Sequence, residues 1–264
     1  MTTTNASSST LTESDLAPGL LIGEHVTIGT GCDLGIRAVL HDDVKIGDGV
    51  SLGANVVIHR GTHIEADCRI ADNVVLGKPV FLSKTSTAKR GELAPLTLGT
   101  GTTVGVGTVV CAGTVVGPNS LLGDQVSVRE RCTLGERVIV GRGTCVENDT
   151  FIGDRTKIQS NAYITAYMNI EEDVFIAPCV ITTNDNYMGR TEKRFAELGG
   201  ATIRRAARIG GGCILLPNIE VGEEAFVGAG AVVTKNVPPR MLVVGSPARI
   251  LREVPEEELL PPRS

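Results

Sequence analysis

LGTGTTVGVGTVVCAGTVVGPNSLLG, residues 98–123, repeats itself every sixth position. Leu98, Val104, Val110, Val116 and Leu122 mark the beat, and Gly99, Gly105, Gly117 and Gly123 each follow it directly. Four positions after the beat stands a small or β-branched residue, as at Thr102 and Ser120. A period of six does not fit a helical turn of about 3.6 residues over many repeats. It is even, so it agrees with the two-residue alternation of a strand. The stretch reads as very short strands joined by glycine-bearing turns.

The same beat runs backward from Leu76 to Ile22, with Leu16 one step earlier, and forward to Ile176; it returns from Ile203 to Val233. A strand this short cannot bury a face alone, so stacked neighbours must complete the core. Composition agrees, because 42% of residues are hydrophobic but only 3% are aromatic. Such a core is built from Val, Ile, Leu and Ala. The cysteines are seven, without a CxxC pair, and Cys32, Cys68, Cys132 and Cys213 occupy the small slot. They read as packing residues of a chain in a reducing cytoplasm, not as a disulfide framework or a zinc knot.

With a net charge of −5 and no Lys/Arg run, nucleic acid is not an expected partner. No apolar stretch reaches the ~18 residues of a membrane span, so none is expected. Residues 1–14, MTTTNASSSTLTES, carry no secretory pattern and read as a disordered tail. The repeat domain then covers 15–253, with excursions at 77–97 and 183–202. Residues 254–264 read as a terminal helix or tail, since PEEELL at 255–260 has Pro and acidic residues in a first turn. At the second excursion the beat falls on Thr182, and Asn184, Asp185, Asn186, Tyr187 and Arg190 crowd behind it. Polar groups at the edge of a rigid repeat are well placed to hold a ligand.

The pattern aliphatic–Gly–x–x–small–x resembles that of the hexapeptide-repeat acyltransferases. The resemblance implies an all-β, left-handed parallel β-helix with three hexapeptides per coil, hence about ten coils here. At roughly 4.8 Å per stacked strand, such a prism is about 45–50 Å long. VGAGAVVTKNVPPRMLVVGSPARI (227–250) resembles the last coil and exit of coenzyme-A-dependent members. TTND (182–185), a loop, and then IRRAARIGGG (203–212) resemble N-acetyltransferases of nucleotide-linked amino sugars.

By that resemblance acetyl-CoA is the co-substrate and no metal is involved. Asn184 would orient the acceptor amine, with Asp185 as the second choice for handling its proton. Tyr163, Tyr167, Asn186, Tyr187, Arg190, Arg204 and Arg205 are the acceptor-side candidates. Gly228, Ala229 and Gly230 would line the pantetheine, with Arg208, Lys235, Arg240 and Arg249 near its phosphates. The cluster Arg204, Arg205, Arg208 is equally explained by acidic neighbours on the prism. The family is usually trimeric, with sites between chains.

All four histidines, His25, His41, His59 and His63, precede residue 98. His59 and His63 lack the third histidine of a zinc site, and His41 and His59 read as solvated surface. A hydroxyl acceptor needs a base, whereas an amine with a neutral fraction needs mainly positioning. The expected activity is therefore N-acetylation of a nucleotide-linked amino sugar. O-acetylation and a non-catalytic scaffold are the alternatives. The first excursion carries Lys78, Lys84, Lys89 and Arg90. It reads as a phosphate-binding lid or a reach to a neighbouring chain, rooted roughly 20 Å from the second.

Overall fold

Each hexapeptide puts two residues in a strand, and the second of them, the beat residue, faces inward. Leu40, Ile58, Leu76, Val110, Val128, Val146 and Ile164 are all fully buried in one column. Each contributes about 1.5–3 kcal/mol by leaving water. The computed structural model describes residues 11–86 and 88–261. Its strands join three sheets of 12, 10 and 11 members, visited in turn. The first holds Val39–Leu40, the second Lys45–Ile46 and the third Ser51–Leu52. Coil stacks on coil in parallel, in steps of 18 residues: Val39 pairs with Val57, and Leu121 with Ile139. The fold is a parallel β-solenoid.

The other repeat positions have equally local causes. A Cβ on Gly141 would stand 2.6 Å from the backbone of Gln159 and Ser160, so the position after the beat is where the next coil presses closest. The small slot does more than pack. Thr108, Thr114, Thr144 and Thr156 each donate a hydroxyl hydrogen bond to a carbonyl 15 residues on, and the Cys132 and Cys213 thiols point the same way. These groups satisfy carbonyls that turn out of the ladder at the corners, each worth about 0.5–1.5 kcal/mol net for a hydroxyl. Three positions after the beat, each corner passes through left-handed backbone. Asn55, Asp67, Asn73, Asn119 and Asn161 serve there at φ +56 to +59°, and Gly31 and Gly49 do so at no steric cost.

The ends depart from expectation. The first sheet has 12 strands: 11 stack in parallel, one level more than the ten expected because Thr182 keeps the beat, and Thr12–Ser14 adds an antiparallel strand at the edge. Thr12–Ser14, expected as disordered tail, form a strand antiparallel to Leu20–Ile22; residues 1–10 of that tail lie outside the described residues. Leu16 is 65% exposed and off the beat, while Ala17 and Leu20 are buried in its place. At the other end Met241–Val244 closes the third sheet, and Arg249–Glu253 folds back on it antiparallel. The expected terminal helix is a single 3-10 turn, Glu256–Glu258, because Pro255 and Pro261 leave no room for a longer one. Residues 262–264 lie outside the described residues. No helix among the described residues is long and apolar enough to cross a membrane.

Candidate active site

Both excursions leave the prism at one corner, between the first sheet and the second. The first departs after Val75–Lys78 and returns at Thr97–Leu98; the second departs after Ile181–Thr182 and returns at Thr202–Ile203. The first does not stand off into solvent. It lies along the corner toward the second, with Leu93 Cδ2 3.3 Å from where a Gly113 Cβ would be and the Ala94 carbonyl accepting from the Gly113 N–H. Its Lys89 and Arg90 share a hollow of 150 Å³ with Glu130 and Arg131.

Thr182 does not end the beat, which corrects the expectation from sequence. Its side chain is buried in the aliphatic column, and Thr182 pairs with Leu215 on the next coil. What changes is its carbonyl. In earlier coils the N–H one position past the beat bonds the next beat carbonyl, as His41 does to Ile58. Here the Thr165 N–H donates to Thr182 Oγ1 at 2.8 Å, and that hydroxyl donates to the Tyr163 carbonyl at 3.0 Å. A threonine at this beat keeps a valine's shape and replaces the hydrogen bond lost when the backbone turns out. The chain leaves after Thr183, and the neck closes where Gly199 N–H donates to the Asn184 carbonyl at 3.0 Å.

Asp185 organises the loop. Its carboxylate accepts from the Tyr187 N–H, the Gly189 N–H and Arg194 Nε at 2.8–2.9 Å. The Gly189 and Tyr187 N–H groups and the Arg194 guanidinium hold its carboxyl below the usual range, so it is a poor base. Tyr187 turns to Glu197, 2.8 Å away on the short helix Arg194–Glu197.

Between this loop and the prism lies a cleft of 420 Å³. Tyr163, Thr165, Thr183, Asn184, Asn186 and Asp185 form its polar side; Met188, Leu216 and Pro217 form its apolar side. The Asn184 side chain is half-buried and has no hydrogen-bond partner among the described residues, so both its amide donor and acceptor are open to a ligand. Burial and the neighbouring Glu147 carboxylate push the Tyr163 phenol up. Glu147 in turn pairs with Arg129 at 3.2 Å. Arg129 also holds the buried Glu130 at 2.8 Å, and Arg131 grips Asp149 at 2.7 Å. Burial alone would raise the Glu130 carboxyl, but the Arg129 hydrogen bond, a backbone hydrogen bond and the charges of Arg129 and Arg131 together hold it below the usual range. An ion-pair ladder thus joins the cleft to the first excursion, a connection that the six-residue pattern does not reveal.

Of the acceptor-side candidates, Tyr163, Asn184, Asp185 and Asn186 come together at the cleft. Tyr187, turned to Glu197, and Arg190 are not among the residues lining the cleft, and Tyr167 is a corner residue at φ 64°. Arg204 and Arg205 sit at a different corner, between the second and third sheets. Arg204 pairs with Glu171 and Glu220, and Arg205 with Glu223. Their acidic neighbours account for both arginines. Arg208 lies on the third sheet beside Phe226 and pairs with Glu258. Ala229 and Gly230 are exposed with Gly228 at the corner joining the third sheet to the first, across Ile214 and Val232 from the cleft. Lys235 is exposed after the last first-sheet strand. Arg249 lies on the exit strand, and Arg240 lines a separate hollow of 680 Å³ with Glu223 and Glu256. His41 and His59 are not free surface residues. Their rings stack at 5.0 Å and both are half-buried; burial, with His41 and Lys78 nearby, lowers the His59 pKa.

A sequence profile described as the hexapeptide repeat of succinyl-transferase matches residues 43–78 and 201–235. The chain is 44% identical over 87 residues to a serine acetyltransferase of Buchnera aphidicola, covering 33% of this chain and 30% of that protein. It is 34% identical over 107 residues to the bifunctional protein GlmU of Rubrobacter xylanophilus, covering 40% of this chain and 21% of that one. The chain thus spans a third or less of the length of these relatives. Among solved structures, a mutant of GDP-perosamine N-acetyl transferase from Caulobacter crescentus, in complex with CoA and GDP-perosamine, is 23% identical. The match covers 55% of this chain and 57% of that one at a TM-score of 0.38.

Proposed function

We propose that this member of the hexapeptide-repeat acyltransferases is an acetyl-CoA-dependent N-acetyltransferase, acting on the amine of a nucleotide-linked amino sugar at the cleft beside Asn184. One observation carries the reading: the cleft is polar but holds no free base. Its lining offers two amides, hydroxyls and a phenol, and its one carboxylate already accepts three hydrogen bonds. No histidine among the described residues lines it. A hydroxyl held there would keep its proton, whereas a neutral amine needs only to be aimed.

In this mechanism the Asn184 amide oxygen accepts one amine hydrogen and turns the nitrogen lone pair to the thioester carbonyl. The C–N bond forms, the C–S bond breaks, and the proton lost by nitrogen leaves with the coenzyme A thiol. Leu216, Pro217 and Met188 shelter the acetyl group and the sugar's apolar face. Gly228, Ala229 and Gly230 line the pantetheine, and Lys235 and Arg249 meet its phosphates.

The working form is a homotrimer in the cytoplasm. The outward face of the first sheet supports association, since Val57, Val75 and Val109 and, past Ser127, Cys145, Tyr163, Ile181, Ile214 and Val232 follow one another in register beside the cleft. Phe81 and Met188, 86% and 89% exposed, stand out from the two excursions, where a neighbouring chain would cover them.

A hydroxyl acceptor is the second reading, favoured by the His59 imidazole, whose pKa is lowered by burial and by His41 and Lys78, at the root of the first excursion. The two separate in one assay of thiol release from acetyl-CoA, with nucleotide-linked amino sugars and their hydroxyl counterparts as acceptors. Amine-only turnover that survives His59→Gln and falls with Asn184→Ala supports the first reading. Hydroxyl turnover abolished by His59→Gln would replace it.

A further inference from the structure

The third sheet carries a groove that the acyl-transfer reading leaves unused. Down its outer face Leu121, Ile139, Lys157, Phe175 and Arg208 stack in register, one per coil. Beside them run the corner residues Arg137 and Arg155, and the chain's end crosses opposite with Glu258 and Leu260. Together they enclose 730 Å³. Four coils at about 4.8 Å make it roughly 19 Å long. It lies on a different face from the cleft beside Asn184.

Its charges are incompletely matched. Arg155 is taken by Asp173 at 2.7 Å, and the Glu224 carboxylate accepts from the Leu260 N–H at 2.9 Å. Arg137 and Lys157 have no ion-pair partner among the described residues. At the deep end Arg208 lies over the Phe226 ring at 4.7 Å, and its Nη1 donates to Glu258 at 2.8 Å. Its Nε and Nη2 are buried with no hydrogen-bond partner among the described residues. Those two nitrogens form the side edge of the guanidinium, the fork that suits two oxygens of one oxyanion. Buried donors left unpaired are costly. Glu258 satisfies only the remaining nitrogen, from the flank of the groove.

The geometry points to a binding site for a small phosphate ester with a planar or apolar body. Its phosphate engages the Nε/Nη2 edge of Arg208 and then Lys157, its body lies on Phe175 and Ile139, and Glu258, held on Nη1, is the neighbouring anion whose charge opposes it. The phosphate gives Arg208 two hydrogen bonds beside the one it already makes to Glu258. Phosphate is favoured over a carboxylate because Lys157 and Arg137 supply further unpaired positive charge along the same wall. The site does not depend on acyl transfer.

1-Naphthyl phosphate is a direct probe, titrated calorimetrically into the full chain at low salt, with inorganic phosphate and 1-naphthol as controls for charge alone and ring alone. Expected are saturable binding of the ester that exceeds both controls, affinity about three-fold or more higher in Glu258→Gln because a neighbouring negative charge is gone, and affinity at least about ten-fold lower in Arg208→Gln. Arg208→Lys keeps the charge without the fork, and is expected to bind more weakly than the unaltered chain even where it melts at the same temperature. Equal affinity in all three variants, or no binding by the unaltered chain, overturns the site. Displacement of the ester by acetyl-CoA that is lost in Arg208→Gln would also overturn it, since the groove would then belong to the co-substrate.

Discussion

Thr182 and Asn184 stand two residues apart and divide the labour at the cleft. Thr182→Val keeps the shape of the core column but removes the hydroxyl between Thr165 N–H and the Tyr163 carbonyl. A buried N–H loses its partner, so thermal unfolding should show a loss of about 1–3 kcal/mol; no loss would mean that water or the Thr182 carbonyl replaces the hydroxyl. Asn184→Ala removes no side-chain hydrogen bond among the described residues. It should leave the melting temperature unchanged and lower turnover about ten-fold or more. Asp185 behaves differently again. Its lowered carboxyl pKa stabilises the loop at every pH above the ordinary carboxylate value of about 3.9, and that contribution disappears only as pH falls through the lowered value. The loop should therefore stay closed through pH 5. The pH dependence of turnover should follow the acceptor's amine, rising as it deprotonates, with no step from Asp185. A rate step between pH 4 and 5 that vanishes in Asp185→Asn would contradict this.

At the scale of the repeat, the beat residues were legible because one buried column per sheet admits little but aliphatics. The glycine after the beat was legible as a pattern, but its cause is backbone contact between coils. Gly141→Ala should accordingly cost about 1–3 kcal/mol, read as a lower melting temperature, because the opposing atoms are backbone and cannot give way. Less could be read where strands leave the six-residue rule. The hairpin Met241–Val244 with Arg249–Glu253, and Thr12–Ser14 at the other end, have ordinary pairing with no repeat signature. The cleft was half legible. Asn184 and Asp185 stood out by breaking the beat, yet Leu216 and Pro217 come from the following coil, and the Arg129–Glu130–Glu147 ladder joins residues whose closeness depends on which corner they share. Arg204 and Arg205 looked like ligand groups because their acidic partners lie up to 33 residues away along the chain. The first excursion lies on the same corner as the second, over that ladder. Deleting 78–96 should thus lower both turnover and acceptor affinity, measured on a variant whose melting temperature is first shown to be retained; unchanged kinetics would remove that excursion from the site.

For the whole molecule, the prism supplies stiffness and the shared corner holds the candidate cleft. The outward face of the first sheet sets the expectation of a trimer, which sedimentation equilibrium would read as about three times the 27.7 kDa chain mass. A monomer with full turnover would show that the cleft needs no neighbour. The central claim is that this cleft transfers acetyl groups to an amine without a base of its own. Its most direct test is release of free coenzyme A thiol from acetyl-CoA, with matched pairs of nucleotide-linked sugars differing only by amine or hydroxyl at one carbon. Release with an amino sugar, absence with its hydroxyl partner, and loss in Asn184→Ala are the expected results. Equal release with the hydroxyl partner, or full release in Asn184→Ala, would contradict the account.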